Sequence, residues 1–142
     1  MSARRKPVSD SLRLIMESDL EEIERAVEEA EGFFSAHIQD EDFVYKLVLL
    51  TSEAVTNAIE HGNKLDPTKS VIVDFIVEQE RLEVWVQDEG AGFRREDIRD
   101  PLKQENLLED GGRGIYLMEL MADEIIYERE GCRIGMFFYR PE

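Results

Sequence analysis

Cysteine and long apolar runs are both scarce in this chain of 142 residues. The single cysteine, Cys132, excludes an internal disulfide framework and fits a reducing compartment. The longest apolar stretches, such as VIVDFIV at 71–77, are too short to span a bilayer. The first ten residues carry charge but no apolar h-region, so no secretory signal is expected. These features together predict a cytoplasmic protein that is not attached to a membrane.

Positive charge is also in short supply, with 17 basic against 33 acidic residues and a formal net charge of −16. Such a balance argues against nucleic acid or an anionic membrane as the direct partner. It leaves open a nucleotide bound in a local pocket lined by backbone amides. The acidity is concentrated at 17–31, where Arg25 is the only base. This run is interpreted as a solvated helix face, with a surface for a basic partner as the alternative.

Apolar residues make up 42% of the chain and charged residues 35%, which is typical of one folded globular domain over 1–142. Residues 1–10 are expected to form a mobile tail. Ser18 and Glu21 have the spacing of a capping box before the first helix, and Gly62 is expected to end the second. The predicted elements are a strand at 11–16, a helix from about 20 to 34, a helix at 40–61, strands at 71–77 and 82–88, a helix at 114–122 and a final hairpin. This order favours an α+β, two-layer sandwich: a mixed, mostly antiparallel sheet with helices on one face.

Polar side chains recur at steps of four along the second predicted helix, in TSEAVTNAIEHG at 51–62. At roughly 100° per residue, Glu53, Asn57 and His61 fall on one stripe about 80° wide. Leu50 and Ala54 project into the same sector, so these polar groups are expected at the edge of a buried face. Buried carboxylate, amide and imidazole groups are unfavourable unless something satisfies them. The stripe therefore points to a site rather than to a solvated surface.

Two glycine-rich segments follow, DEGAGF at 88–93 and GGRG at 111–114. Spaced glycines let a ligand approach the main chain, and glycines before a helix leave N–H groups suited to phosphate. Each segment alone is only a turn signal. The polar stretch 94–110 between them is long for a loop in a compact domain, and loops of that length are often functional.

In order, the three motifs read E-x-x-x-N-A-x-x-H-G, D-x-G-x-G and G-x-x-G-I. This arrangement resembles the ATP-binding (Bergerat-type) fold shared by gyrase, Hsp90, histidine kinases and MutL. Within that superfamily the chain is similar to the bacterial anti-sigma factor serine/threonine kinases, over about residues 11–139. The small size and the GGRGIYLMELMADEI stretch with its Met-rich helix also match.

The resemblance implies roles for the polar stripe. Glu53 corresponds to the general base of the family, which orients the attacking hydroxyl or water. Asn57 corresponds to the ligand of the Mg²⁺ that bridges the ATP phosphates, and an amide oxygen is a suitable hard ligand. His61 lies near a phosphate-side contact of the family, but it could equally be an ordinary histidine at a helix end.

The resemblance also implies an ATP-binding role for the glycine motifs. Asp88 matches the family's adenine reader, while Gly90 and Gly92 would let the backbone pass close to base and ribose. Residues 94–110 would form the ATP lid. The phosphates would be held by Gly112, Arg113 and Gly114, although Arg113 could also be a plain exposed arginine. One departure stands out, because Cys132 follows Gly131 where relatives often carry a Gly-Thr pair, so a second adenine contact is in doubt.

The implied function is an ATP- and Mg²⁺-dependent serine/threonine kinase that binds a sigma factor and phosphorylates an anti-anti-sigma partner. Homodimer formation is left open. One alternative is a nucleotide-dependent regulatory binding module without kinase activity, although the intact Glu53 argues against it. Another is the catalytic domain of a histidine kinase, which ranks last because it would need a separate chain carrying the phosphorylated histidine.

Overall fold

A computed structural model describes residues 9–91 and 112–141 of the chain. The lid expected at 94–110, Gly92, and the first eight residues of the expected tail lie outside these ranges. The described strands are β1 (Asp10–Glu17), β2 (Ser70–Val77), β3 (Arg81–Gln87), β4 (Glu124–Glu128) and β5 (Arg133–Tyr139). The described helices are α1 (Glu21–Ser35), α2 (Glu41–Thr56), a π-helical segment (Asn57–Gly62), α3 (Gly112–Met121) and a short 3₁₀ turn (Arg129–Gly131).

The strands form one five-stranded sheet in the order β1-β2-β3-β5-β4. All four described pairings are antiparallel, so the predicted mostly antiparallel sheet is confirmed. Strand β1 begins earlier than expected. Asp10 already pairs with Val77 of β2, so it does not belong to the predicted tail. The final hairpin is also as predicted, with Arg129 and Glu130 at positive φ in the turn.

The helices cover one face of this sheet and enclose a single core. Inward side chains of the strands, such as Val73, Phe75 and Phe138, join Phe34 and Leu47 of the helices in one buried cluster. The α+β sandwich is therefore confirmed. Within residues 9–91 and 112–141, no helix is both long and apolar enough to cross a membrane.

The start of α1 differs from the predicted capping box. Ser18 is 4% exposed and turns its hydroxyl into the protein, where it donates to the Lys69 carbonyl oxygen at 2.8 Å. Asp19 instead accepts from the Glu21 N–H at 2.9 Å, while Glu21 is the first helical residue and not the third. The prediction was wrong because a buried partner far along the chain competes successfully for the hydroxyl.

The second predicted helix is present, but it changes its winding near the end. Asp40 caps α2 by accepting from the Phe43 N–H at 3.1 Å, and the last six residues, Asn57–Gly62, are π-helical. The helix ends at Gly62 as predicted, and the positive φ values lie later, at Lys64 and Leu65. Local π-helical winding is frequent at functional sites, and here it coincides with the predicted polar stripe.

Candidate functional site

The polar stripe and the start of α3 meet in one corner of the molecule. A Cβ built on Gly114 would lie 2.9 Å from Glu53 Oε1 and 2.9 Å from Asn57 Nδ2. A side chain at this position would push the Glu53 carboxylate and the Asn57 amide aside, so glycine lets the main chain of α3 approach both groups. Glu53 and Asn57 are partly buried and sit at the border of the α2 core face, as the periodicity predicts. The first N–H groups of α3, which have no intrahelical acceptor, begin at this corner.

A second contact brings the segment after β3 against the end of the π-helical segment. A Cβ on Gly62 would lie 2.3 Å from Asp88 Oδ2, and a Cβ on Gly90 would lie 2.0 Å from the Gly62 carbonyl oxygen. Both distances are far below contact distance. Glycine is required at position 90, where a Cβ would meet backbone, whereas a Cβ at position 62 would displace the Asp88 carboxylate. The Gly90 N–H donates to Asp88 Oδ1 at 2.7 Å and orients the carboxylate.

Cys132, at the entry to β5, packs against the same carboxylate. Its main-chain oxygen accepts from the Asp88 N–H at 2.8 Å, and its thiol donates to the Gly90 oxygen at 3.0 Å. Burial first, and then the Asp88 charge, raise the pKa of the Cys132 thiol, which keeps it a donor. The side chain is only partly buried. Cys132 thus lies beside Asp88, where the resemblance expects a hydroxyl.

Burial also raises the pKa of the Asp88 carboxyl, because removal from water disfavours its ionised form. The hydrogen bond from the Gly90 N–H, the Cys132 thiol and the charge of Lys69 oppose this effect without cancelling it. A partly desolvated carboxylate of this kind binds a hydrogen-bond donor more strongly than one in open water.

The π-helical segment joins the two contacts. Its first residue, Asn57, lies at the Gly114 corner, and its last, Gly62, lies under Asp88. The site candidates Glu53, Asn57, Asp88, Gly90 and Gly114 therefore lie along one continuous edge of the helical layer. Among the described residues, no group of three or more His, Cys, Asp or Glu side chains is arranged to hold a metal ion.

The remaining candidates are less closely engaged. His61 is exposed, with Nε2 3.9 Å from Glu60 Oε1, and Arg113 is exposed at the beginning of α3. Gly112 is the first residue of α3. Gly92 and the segment 94–110 fall outside the described ranges, so their expected roles stay predictions.

Sequence reasoning missed two residues at this site, Asn63 and Glu89. Asn63 lies in the connection between the second helix and β2, yet it is 1% exposed and its Oδ1 accepts from the Glu89 N–H at 2.7 Å. An asparagine after a glycine at a helix end is an ordinary termination signal, so nothing in the local pattern marks it as buried.

This combination of an antiparallel sheet, one helical layer and a polar corner under a glycine-bordered edge defines a class of nucleotide-binding domain. The sequence matches the profile of the histidine kinase-like ATPase domain over residues 16–138. The chain belongs to this family.

Relatives within the family carry more specific names. The serine-protein kinase RsbW of Bacillus subtilis is 36% identical over 105 residues, covering 69% of this chain and 66% of the relative. RsbW of Listeria monocytogenes is 30% identical over 118 residues, covering 78% and 71%. An anti-sigma F factor of Geobacillus thermodenitrificans is 38% identical over 93 residues, covering 63% and 62%. The chain thus spans slightly less than two thirds of the length of the first and third of these relatives.

The contact between Gly62 and Gly90 can be tested by substitution. We expect Gly90→Ala to lower the free energy of unfolding by about 1–3 kcal/mol, because its methyl group cannot be placed without moving backbone. Gly32→Ala is the control, since nothing lies within 4 Å of its Cβ position in α1. That variant should gain about 0.5–1 kcal/mol. Urea denaturation followed by Trp85 fluorescence measures both, and an unchanged Gly90→Ala protein would show that the two segments do not touch.

The raised pKa of Asp88 predicts a pH-dependent effect of Asp88→Asn. Because the folded protein holds this proton more tightly than the unfolded chain, the contribution of Asp88 to stability is complete below its ordinary pKa of 3.8. That contribution is lost as pH rises through the higher folded value. We therefore expect Asp88→Asn to melt above the wild type at neutral pH, with the difference shrinking toward pH 3.

Glu31→Gln is the matched control, because it removes one negative charge from an exposed position of α1. Calorimetric melting at several pH values compares the two variants. A gain that is equal in both variants, or that persists unchanged in acid, would mean that general charge repulsion causes it and not the burial of Asp88.

Proposed function

We propose that this protein is an ATP-dependent serine/threonine kinase of the anti-sigma type. The observation that carries the proposal is the convergence of Glu53, Asn57 and Gly114, which places a carboxylate, an amide and a helix N-terminus in one corner. The names of the relatives, serine-protein kinase and anti-sigma F factor, support the same function.

Asp88 is the proposed reader of the nucleotide base. Its Oδ1 is oriented by the Gly90 N–H, and its environment is partly desolvated. Adenine offers an exocyclic amine as a donor, whereas guanine has a carbonyl oxygen at the corresponding position. A carboxylate held in this way favours ATP over GTP. Gly90 and Gly92 would allow the close approach of base and ribose, and Cys132 would border the same end.

The other end of the site is proposed to take the phosphates. Gly112, Arg113 and Gly114 begin α3, and the free N–H groups of a helix start favour anions. The exposed Arg113 guanidinium would add positive charge there, and His61 could approach from the end of the π-helical segment. The amide oxygen of Asn57 is a hard ligand suited to Mg²⁺, which needs few protein groups. When bound, MgATP supplies the γ-phosphoryl group to be transferred.

Glu53 is the proposed general base. Its Oε1 faces the same glycine as the Asn57 amide, so it lies beside the proposed metal ligand. The carboxylate would accept the proton of a serine or threonine hydroxyl on a partner protein. General bases of this kind contribute about 10²- to 10⁴-fold to rates.

The proposed partners are a sigma factor, which would be sequestered, and a small anti-anti-sigma protein, which would be phosphorylated. Homodimer formation is also proposed. Among the described strands β1 lies at the edge of the sheet, and its Ile15 is 60% exposed. The site would act in the cytoplasm.

Nucleotide binding is the first test. Calorimetric titration with ATP and GTP, with and without Mg²⁺, should show Mg²⁺-dependent binding that prefers ATP by about tenfold or more. The preference follows because an unpaired buried acceptor costs about 1–3 kcal/mol. Asn57→Ala should abolish the Mg²⁺ dependence. Asp88→Asn should lose affinity for ATP. Its amide oxygen would accept from the Gly90 N–H, and its NH₂ group would face the adenine amine, where two donors cannot form a hydrogen bond.

Glu31→Gln serves again as the control for charge and should bind like the wild type. Absence of binding by any nucleotide to the folded wild type would overturn the proposed function. Equal affinity for ATP and GTP would overturn the assignment of Asp88 as the base reader.

Phosphotransfer is the second test. Glu53→Gln should bind MgATP within about threefold of the wild type, yet transfer phosphate to the cognate partner about 10²- to 10⁴-fold more slowly. Radiolabelled ATP with a purified anti-anti-sigma partner measures the transfer. Undiminished transfer would remove Glu53 from its role. A wild type that binds ATP and the partner but transfers nothing would instead indicate a regulatory binding module.

A further inference from the structure

Asn63 is a buried junction between four segments of the chain. Its Nδ2 donates to Ser18 Oγ at 2.7 Å and to the Ser70 carbonyl oxygen at 3.0 Å, and its Oδ1 accepts from the Glu89 N–H at 2.7 Å. Ser18 follows β1, Ser70 begins β2, and Glu89 lies beyond β3, while Asn63 itself follows the π-helical segment. The orientation of the amide follows from its partners, since a backbone N–H can only donate.

This junction lies directly beside the contact that forms the Asp88 end of the site. Asn63 is the residue after Gly62, and Glu89 is the residue after Asp88. The Asn63–Glu89 hydrogen bond therefore joins the same two segments that touch at Gly62 and Gly90. This hydrogen bond lies next to the glycine contact, and the two together set the register between the segments.

The other half of the junction anchors it to the sheet. The Ser18 hydroxyl donates to the Lys69 oxygen at 2.8 Å, and the Ser70 N–H donates to Glu89 Oε2 at 2.5 Å. Ser18 is 4% exposed and Asn63 is 1% exposed, so water cannot easily replace the bonds of these two side chains, whereas the Ser70–Glu89 bond is exposed. Buried polar groups that are all paired rigidify their surroundings.

We propose that Asn63 is a positioning residue for nucleotide binding, which holds the Asp88–Gly90 segment against the Gly62 turn before the nucleotide arrives. The inference rests on the proposed function of this site. Asn63 binds the main chain of Glu89, the neighbour of Asp88, so its proposed effect on the nucleotide passes through Asp88. Preorganisation of this kind raises affinity, because the ordering of the segment does not have to occur on binding.

Asparagine suits this position because the junction needs two donated bonds and one accepted bond. Alanine would leave the Glu89 N–H and the Ser70 oxygen without the Asn63 side chain as partner in a partly buried environment. Aspartate would keep the acceptor for the Glu89 N–H but would lose both donors and add a buried charge. These two substitutions therefore separate the bond to Glu89 from the rest of the junction.

The first experiment uses the free protein. Amide hydrogen exchange, followed by NMR, gives the exchange rate of the Glu89 amide and that of the Val84 amide at the centre of the sheet. The ratio of the two rates corrects for changes in overall stability. We expect Asn63→Ala to raise the Glu89/Val84 exchange ratio about tenfold or more. The loss of this hydrogen bond should make local opening at Glu89 about tenfold more frequent. Ser18→Ala, which leaves the Asn63–Glu89 bond in place, should change the ratio less than about threefold.

The second experiment measures MgATP affinity by calorimetry in the same variants, together with their urea unfolding midpoints. Asn63→Ala should bind about tenfold or more weakly, and Ser18→Ala should stay within about threefold although both unfold earlier. Asn63→Asp should retain much of the affinity despite lower stability, because it keeps the acceptor for Glu89. Affinity that simply follows the unfolding midpoint across the three variants would reduce Asn63 to a structural residue and overturn the proposal.

The two experiments also separate this inference from the proposed function. If the wild type binds no nucleotide, the proposed function fails, and the exchange ratios alone decide whether Asn63 holds the Asp88–Gly90 segment. If the wild type binds MgATP and Asn63→Ala raises the exchange ratio without weakening binding, the proposed function stands and the positioning role is overturned. An unchanged exchange ratio in Asn63→Ala overturns it in either case.

Discussion

The close approach of two backbone segments at Gly62 and Gly90 is the constraint on which the rest of the site depends. A Cβ at Gly90 would overlap the Gly62 oxygen at 2.0 Å, so this contact exists only because Gly90 has no side chain. It brings the Asp88 carboxylate over the end of the π-helical segment. The other end of that segment carries Asn57, so a single contact aligns the base-reading and phosphate-binding ends of the proposed site.

The polar groups around this contact differ in how completely the protein itself provides their hydrogen bonds. Asp88 is held by the Gly90 N–H and remains partly desolvated, which prepares it for a donor on a ligand. Asn63, by contrast, is buried and makes three hydrogen bonds within the protein. The first arrangement suits a group that binds, and the second suits a group that holds another in place. The proposed role of Asp88 as base reader and the proposed role of Asn63 as positioning residue both rest on this difference.

Membership of the histidine kinase-like ATPase family agrees with this physical picture. The chain departs from the expected pattern at Cys132, yet the thiol donates to the Gly90 oxygen and lies beside Asp88. The cysteine therefore takes part in the same contact and is not a plain buried residue. A thiol is a weak donor, yet it binds the segment that carries Asp88.

The amino-acid pattern alone was sufficient for the α+β fold, the approximate bounds of the elements and the stripe of Glu53 and Asn57, because periodicity is a local property of the chain. It also indicated the glycine motifs. The capping role of Ser18, the winding at Asn57–Gly62 and the burial of Asn63 were decided by contacts between distant segments. Asn63 and Glu89 are 26 positions apart, and Cys132 and Gly90 are 42 apart. No local rule specifies such pairs, since they form only when sheet and helices pack together and exclude water from the groups between them.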